Sequence, residues 1–243
     1  MRAFVFAKRC AKEILRDPLN LAFGLGFPIV LLLLLSAIQA NIPAELFEIQ
    51  SLAPGVTVFG LSFMCLFSAT LIAKDRESAL LQRLYTTPLR SADFILGYML
   101  AVLPIALAQI CVSLLVAVAL GLPFGVHLLY AVVAALPIAV FYVALGLLCG
   151  SVFSVKQVGG ICGALLTNLS AWLSGVWFDL KLVGGAFEKI ADFLPFLHAV
   201  ELERGVVNGS FALSFWHIYP VLGYAVVVTV GAVLLFLRQI KKQ

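Results

Sequence analysis

The sequence predicts an all-α integral membrane protein with six transmembrane helices, folded as a single domain over residues 1–243. Three observations carry that prediction. Hydrophobic residues fill 63% of the 243 positions and charged residues only 12%, against about 45–50% and about 25% in a soluble domain. The mean hydropathy is +1.11. Six apolar runs, each 20 residues or longer, contain no Asp, Glu, Lys or Arg, which is the length and composition of a helix that crosses hydrocarbon. This balance argues against a soluble enzyme, a nucleic-acid binder and a disordered chain. It also argues against a β-barrel, whose strands alternate in pieces of about ten residues.

The elements follow in order. Residues 2–17 read as an amphipathic helix, with Phe4, Ala7, Ala11, Ile14 and Leu15 on one face and Arg2, Arg9, Lys12 and Arg16 on the other. Asp17-Pro18 ends it. The spans are predicted at Leu19–Ala40, Leu52–Ala73, Phe94–Leu120, Leu128–Gly150, Val158–Phe178 and Ile218–Leu237. The first is read as an uncleaved helix, because its apolar core exceeds the roughly 7–15 residues of a signal peptide and Ala37-Ile38-Gln39-Ala40 is a poor cleavage motif. Pro104 and Pro137 are expected to kink the third and fourth helices.

Orientation comes from the loops. Thirteen of the sixteen Lys and Arg residues fall on the side of the two termini, which predicts both termini in the cytoplasm. The loop of residues 74–92 is charged, cytoplasmic by this count, and longer than a helix connection needs. Leu80, Leu81, Leu84 and Tyr85 recur there at helical spacing until Pro88, so a short helix along the membrane surface is expected. The outer segment 179–217 is too apolar for a linker and too interrupted to span. It is expected to form short helices that dip into the outer leaflet or cap a cavity.

Chemistry inside the spans is sparse. Cys10, Cys65, Cys111, Cys149 and Cys162 show no CxxC pairing and read as small buried hydrophobes. His127, His198 and His217 have no metal-binding spacing, and no P-loop sequence occurs. No catalytic, cofactor or metal site is therefore nominated. Polar groups concentrate on two spans. Thr57, Phe63, Phe67 and Thr70 on the second, and Thr167, Asn168, Ala171 and Ser174 on the fifth, either line a path or pack helices together. Asn168 stands out, since an amide in hydrocarbon must find a partner. Gly146-x-x-x-Gly150 and Gly159-x-x-x-Gly163 would let backbones approach closely.

Leu52-Ala53-Pro54-Gly55, the triplet Asp75-Arg76-Glu77, then Arg83-Leu84 and Thr87-Pro88-Leu89 ahead of Gly97 resemble the permease subunits of ABC-2 type ABC transporters. Leu194-Pro195 followed by Arg204 fits the same pattern, and the resemblance spans essentially the whole chain. It implies a multi-pass permease of a bacterial cell membrane that works as a dimer, with a second permease copy and two copies of an ATP-binding cassette subunit. ATP and Mg would sit on that partner, with none on this chain. The implied activity is efflux of drugs, as in multidrug resistance, or export of lipids or glycan precursors. Nucleic acid is not an expected partner; membrane lipid is. By the same resemblance residues 74–90 would be the coupling helix, with Asp75, Arg76, Glu77, Leu80, Arg83, Leu84 and Tyr85 at the ATPase interface. The second and fifth spans would line the path, and the outer helices would gate it. A passive channel and a membrane-embedded enzyme are the readings of other classes.

Overall fold

The computed structural model describes residues 2–41, 47–78 and 91–240. Among these residues the fold is all helix and no strand, as expected of backbone that must satisfy its own hydrogen bonds in lipid. Helix α1 (Arg2–Leu15) leads into a composite first span: α2 (Pro18–Leu21), a π-helical stretch Ala22–Gly26, and α3 (Phe27–Asn41). Three long helices follow: α4 (Ile49–Glu77), α5 (Ser91–Ala119) and α6 (Val126–Val152). Next come α7 (Val155–Val158), a second π-helical stretch Gly159–Leu166, and α8 (Thr167–Trp172). Three short helices, α9 (Leu180–Val183), α10 (Gly185–Phe193) and α11 (Pro195–Val207), precede α12 (Phe211–Ile240).

Five of these helical stretches are long and apolar enough to cross a membrane: Ala22–Asn41, Ile49–Glu77, Asp93–Ala119, Val126–Val152 and Ser214–Arg238. The region predicted as the fifth span is different. It is helical only from Val155 to Trp172, and Lys156, Gln157 and Asn168 dilute its hydropathy. Its predicted end at Phe178 gives way to a turn, because Gly175 adopts a left-handed φ of +69° and the chain folds back. Val176 then packs on Gly55 of α4 and Trp177 lies edge-on to Phe59, with ring centres 5.7 Å apart.

Helix α4 is the centre of the bundle. Nearly nine-tenths of its spanning window is buried, against about a fifth for the first and last spans. Its tightest neighbour is α6, where a Cβ on Gly146 or Gly150 would land on the backbone of Cys65 or Ala69. The close approach foreseen for this glycine pair is therefore present. Gly159 and Gly160, by contrast, have nothing within 4 Å. The helices run on through Pro54, Pro104, Pro137 and Pro220.

Two boundaries move relative to the sequence reading. The last helix begins at Phe211 rather than Ile218, so Phe211, Phe215, Trp216 and His217 belong to it and not to the preceding loop. An unbroken 3.6-residue apolar pattern carries the helix past His217, and Pro220 sits inside it. The second change is in α1. Its buried residues are Phe6, Ala7, Cys10 and Ile14, whereas Phe4 and Leu15, assigned to the apolar face, are 70% and 55% exposed. The cause is tertiary: Phe6 packs its ring 5.4 Å from Phe94 and 5.0 Å from Tyr98 at the start of α5, which rotates the inward face away from Phe4.

The short helices form a hairpin whose tip lies deep. Phe196 packs against Phe141 and Tyr142 of α6, and the Tyr224 hydroxyl of α12 donates to the Phe193 carbonyl at 2.8 Å. At the far end, Gly209 lies against His127 and Phe211 stacks near Tyr130. At 1.5 Å per residue the tip sits about 20 Å along α6 and α12 from that end.

Candidate coupling junction and path

Consecutive residues on a helix point about 100° apart. At the close of α4 this sends Asp75, Arg76 and Glu77 to three different neighbours. Asp75 is almost fully buried. Arg9 of α1 grips its carboxyl with both terminal nitrogens, at 2.6 and 2.8 Å, and the Tyr98 hydroxyl of α5 donates to it at 2.9 Å. Arg9 also pairs with Glu13 at 2.8 Å. Burial alone would lower the Arg9 pKa, but the hydrogen bond and charge of Asp75, with Glu13, raise it, so the guanidinium stays charged. Burial pushes the neighbouring Cys10 thiol up to about 12, so it remains a thiol.

Arg76 donates to the Ser151 carbonyl and, at 2.5 Å, to the Phe153 carbonyl. These are acceptors left free at the C-terminus of α6, where a cation is favoured by the helix dipole. Glu77 accepts from the Val155 amide at 2.9 Å, beside the Ser154–Gln157 capping box that starts α7. The triplet thus binds α1 and α5, the end of α6, and the start of α7. Leu80, Arg83, Leu84 and Tyr85, the rest of the expected interface, lie outside the described residues.

The residues nominated for a path are not all brought together. Thr57, Phe63, Phe67, Thr167, Ala171 and Ser174 are buried, and Thr70 is half-buried. Thr57 and Thr167 turn their hydroxyls to carbonyls one turn back in their own helical stretches, at 2.8 and 2.9 Å, and Ser174, in the turn after α8, donates to the Ala171 carbonyl at 3.1 Å. Phe63 joins an aromatic cluster with Phe23, Phe27 and Phe59. Asn168 is exposed, and its amide finds its partner in the Ala164 carbonyl at 2.8 Å. Gly160, Ala164 and Asn168 therefore form an open face, whereas α4 is closed.

Gln109, Tyr142, Ser170 and Glu203 are buried polar groups beyond those singled out in the sequence, and Arg204 of the Leu194-Pro195 pattern gains its partners here. Gln109 of α5 is fully buried, donating to the Thr57 carbonyl at 3.3 Å and the Ser113 hydroxyl at 3.1 Å. The Tyr142 hydroxyl meets that of Ser170. Near the hairpin, Arg204 ties α11 to the Ser51 carbonyl at 3.2 Å and the Gly175 carbonyl at 3.0 Å, and pairs with Glu201 at 2.9 Å. A cavity of about 870 Å³ opens beside it, walled by Trp177, Phe178, Glu188, Asp192 and His217. Glu203 is fully buried with neither carboxyl oxygen bonded, and burial pushes its pKa well above the usual carboxylate range. The sequence offered no signal for it, because Phe196–Val207 also contains His198, Glu201 and Arg204.

A long, central helix whose exit is braced by an Asp-Arg-Glu triplet matches the pattern singled out in the sequence. The membrane-domain family model of ABC-2 type transporters matches residues 2–207. The chain belongs to the ABC-2 type transporter family. It is a multi-pass membrane protein and a transport permease, in a family whose permeases normally work with a separate ATP-binding subunit. A comparison with curated proteins found no match.

Proposed function

We propose that this permease is the membrane subunit of an ATP-driven exporter for a hydrophobic or amphipathic small molecule, such as a drug or antibiotic. Two copies of an ATP-binding subunit hydrolyse ATP, and a second permease copy completes the path. The bundle has six spans, with 155–178 as the fifth, both termini are cytoplasmic, and the hairpin 180–207 enters the outer leaflet. Export of a lipid, glycolipid or polysaccharide precursor is the alternative within the family.

The junction at the end of α4 carries this reading. The segment expected to dock the ATPase, with Leu80, Leu84 and Tyr85 as its apolar seat and Arg83 as a polar contact, leaves from a helix end bonded to four other elements. Displacement of that end by closing ATPase subunits is therefore passed to α1, α5, α6 and α7 together, which would reweight two packings of the bundle. The open Gly160, Ala164 and Asn168 face supports a second copy or cargo in front of the fifth span. The cavity beside Arg204 sets Phe47, Trp177 and Phe178 against charged side chains including Lys181, Glu188 and Asp192, a mixed lining that suits an amphipathic cargo.

Reconstitution with the ATP-binding subunit tests the reading. Leu84→Asp with Tyr85→Asp is expected to abolish capture of that subunit while membrane insertion persists; undiminished capture removes the docking assignment. Stimulation of ATPase activity by amphipathic drugs supports the cargo class. Stimulation by glycolipids alone transfers the assignment to the lipid alternative.

A further inference from the structure

Helix α1 has three sides rather than two. One packs on α5 at Phe94 and Tyr98, level with the end of the span that begins at Asp93, so α1 lies at the height of the membrane surface. The second is an apolar edge of Phe4 and Leu15, continued by Leu19 at the start of the composite first span, all largely exposed. The third is basic. It borders a crevice of about 700 Å³ whose lining includes the cations Lys8, Arg9, Lys12, Arg16 and Lys74 and the acids Glu13 and Asp17. Arg9 and Lys74 are engaged there by acids, the latter by Asp17 at 3.8 Å. Lys8, Lys12 and Arg16 have no ionic partner among the described residues.

We propose that this crevice is a binding site for the headgroup of an anionic diacyl phospholipid, held by Lys8, Lys12 and Arg16, with its acyl chains along Phe4, Leu15 and Leu19. The acids of the crevice are taken up by Arg9 and Lys74, and the three remaining cations leave it net positive, which calls for an anion. The adjoining apolar edge, continuous with a helix that enters the bilayer, calls for an anion with hydrocarbon attached. A soluble acidic partner would leave that edge exposed to water. The bound lipid would fix α1 against the membrane at the point where Arg9 holds Asp75, and so stiffen the junction of α4. The proposal goes beyond the transport reading and needs only that the helices span a bilayer.

The test uses the full chain in neutral detergent, titrated with phosphatidylglycerol, phosphatidylcholine or inorganic phosphate while its melting temperature is followed. Phosphatidylglycerol is expected to raise the melting temperature more than phosphatidylcholine. The triple variant Lys8→Gln/Lys12→Gln/Arg16→Gln is expected to weaken that lipid's half-saturation about fivefold per cation, roughly a hundredfold in all. The charge-keeping variant Lys8→Arg/Lys12→Arg/Arg16→Lys is expected to retain the response, which separates charge from folding. An equal response to both lipids, or an undiminished response in the triple variant, overturns the proposal. Inorganic phosphate acting as well as phosphatidylglycerol overturns it in favour of a free-anion site. Loss of ATP-binding-subunit capture by the triple variant, with its lipid response intact, reassigns the surface to that partner.

Discussion

Removing Arg9 should cost more than removing the charge it holds, and the difference follows from burial. The Asp75 side chain is 2% exposed and the Arg9 side chain 40%. In Arg9→Ala, Asp75 keeps only the Tyr98 hydroxyl, so a carboxyl group loses two charge-assisted bonds in a site closed to water. Breaking a fully buried pair costs about 3–5 kcal/mol, and the water already reaching Arg9 brings the expected loss down to about 2–3 kcal/mol. In Asp75→Asn, the Tyr98 hydroxyl keeps an acceptor and Arg9 keeps Glu13 and solvent, for a loss of about 1–2 kcal/mol. In the double variant the second change finds no pair to break, so the two losses are expected to overlap by about 1–2 kcal/mol. Reversible unfolding of the purified chain in mixed micelles, titrated with a denaturing detergent, measures all three. Arg9→Ala costing no more than Asp75→Asn, or losses that add within about 0.5 kcal/mol, would refute the argument.

The buried groups and close contacts elsewhere in the fold have consequences of the same kind. The Glu203 carboxyl is held protonated in the fold above its ordinary value near 4.5, so the unfolded chain binds fewer protons; stability should fall as pH rises from there, and Glu203→Gln should flatten that slope in melting curves recorded across pH. Gly146→Ala places a methyl on the Cys65 carbonyl and should cost about 1–3 kcal/mol in the same unfolding titration, whereas Gly160→Ala, facing open space, should be tolerated. Glu77→Ala with Arg83→Ala should lower cargo-stimulated ATPase activity of the reconstituted complex and leave membrane insertion intact, as read by fractionation. Arg204→Ala frees the hairpin from the Ser51 and Gly175 carbonyls and should raise proteolysis between residues 180 and 207 before it changes global unfolding.

What was legible in the sequence is what composition and periodicity encode. Apolar runs free of charge place α4, α5 and α6 to within four residues, and α3 and α12 less closely at their starts, since hydrocarbon imposes one length and one composition on all of them. The Asp75-Arg76-Glu77 triplet was likewise visible as a charged exit from a span. Its partners were not: Arg9 lies 66 positions away and the Ser151 and Phe153 carbonyls 75 and 77, and no local pattern announces such pairs. The inward face of α1 escaped for a related reason. Phe4 and Phe6 are equally apolar, and only the aromatic pocket of Phe94 and Tyr98 chooses between them. Asn168 was judged by a cost that its own helix meets, through the carbonyl four residues back. Glu203 is the converse, a group whose cost nothing in the fold meets.

The burial of α4 constrains how any path through this subunit opens. A helix with nearly nine-tenths of its spanning window covered presents no lining to a cargo, so Thr57, Phe63 and Phe67 reach a path only if α4 moves against its neighbours. Its contact with α6 through Gly146 and Gly150 is too close for sliding without separation, because the backbones themselves touch. Its contact with the turn after α8 is looser, made by Val176 on Gly55 and Trp177 on Phe59. If the proposed path opens beside α4, parting from the 155–178 segment would leave the close α4–α6 contact intact and would widen the open Gly160, Ala164 and Asn168 face. Glu77 bonds the start of that segment and Arg204 bonds its last turn at Gly175. Rotation of the α4 end pulls on the first of these contacts, and release of the hairpin lets go of the second. On the proposed transport reading, opening would free the two ends of this segment together, so that a load on the α4 end would be felt at the hairpin.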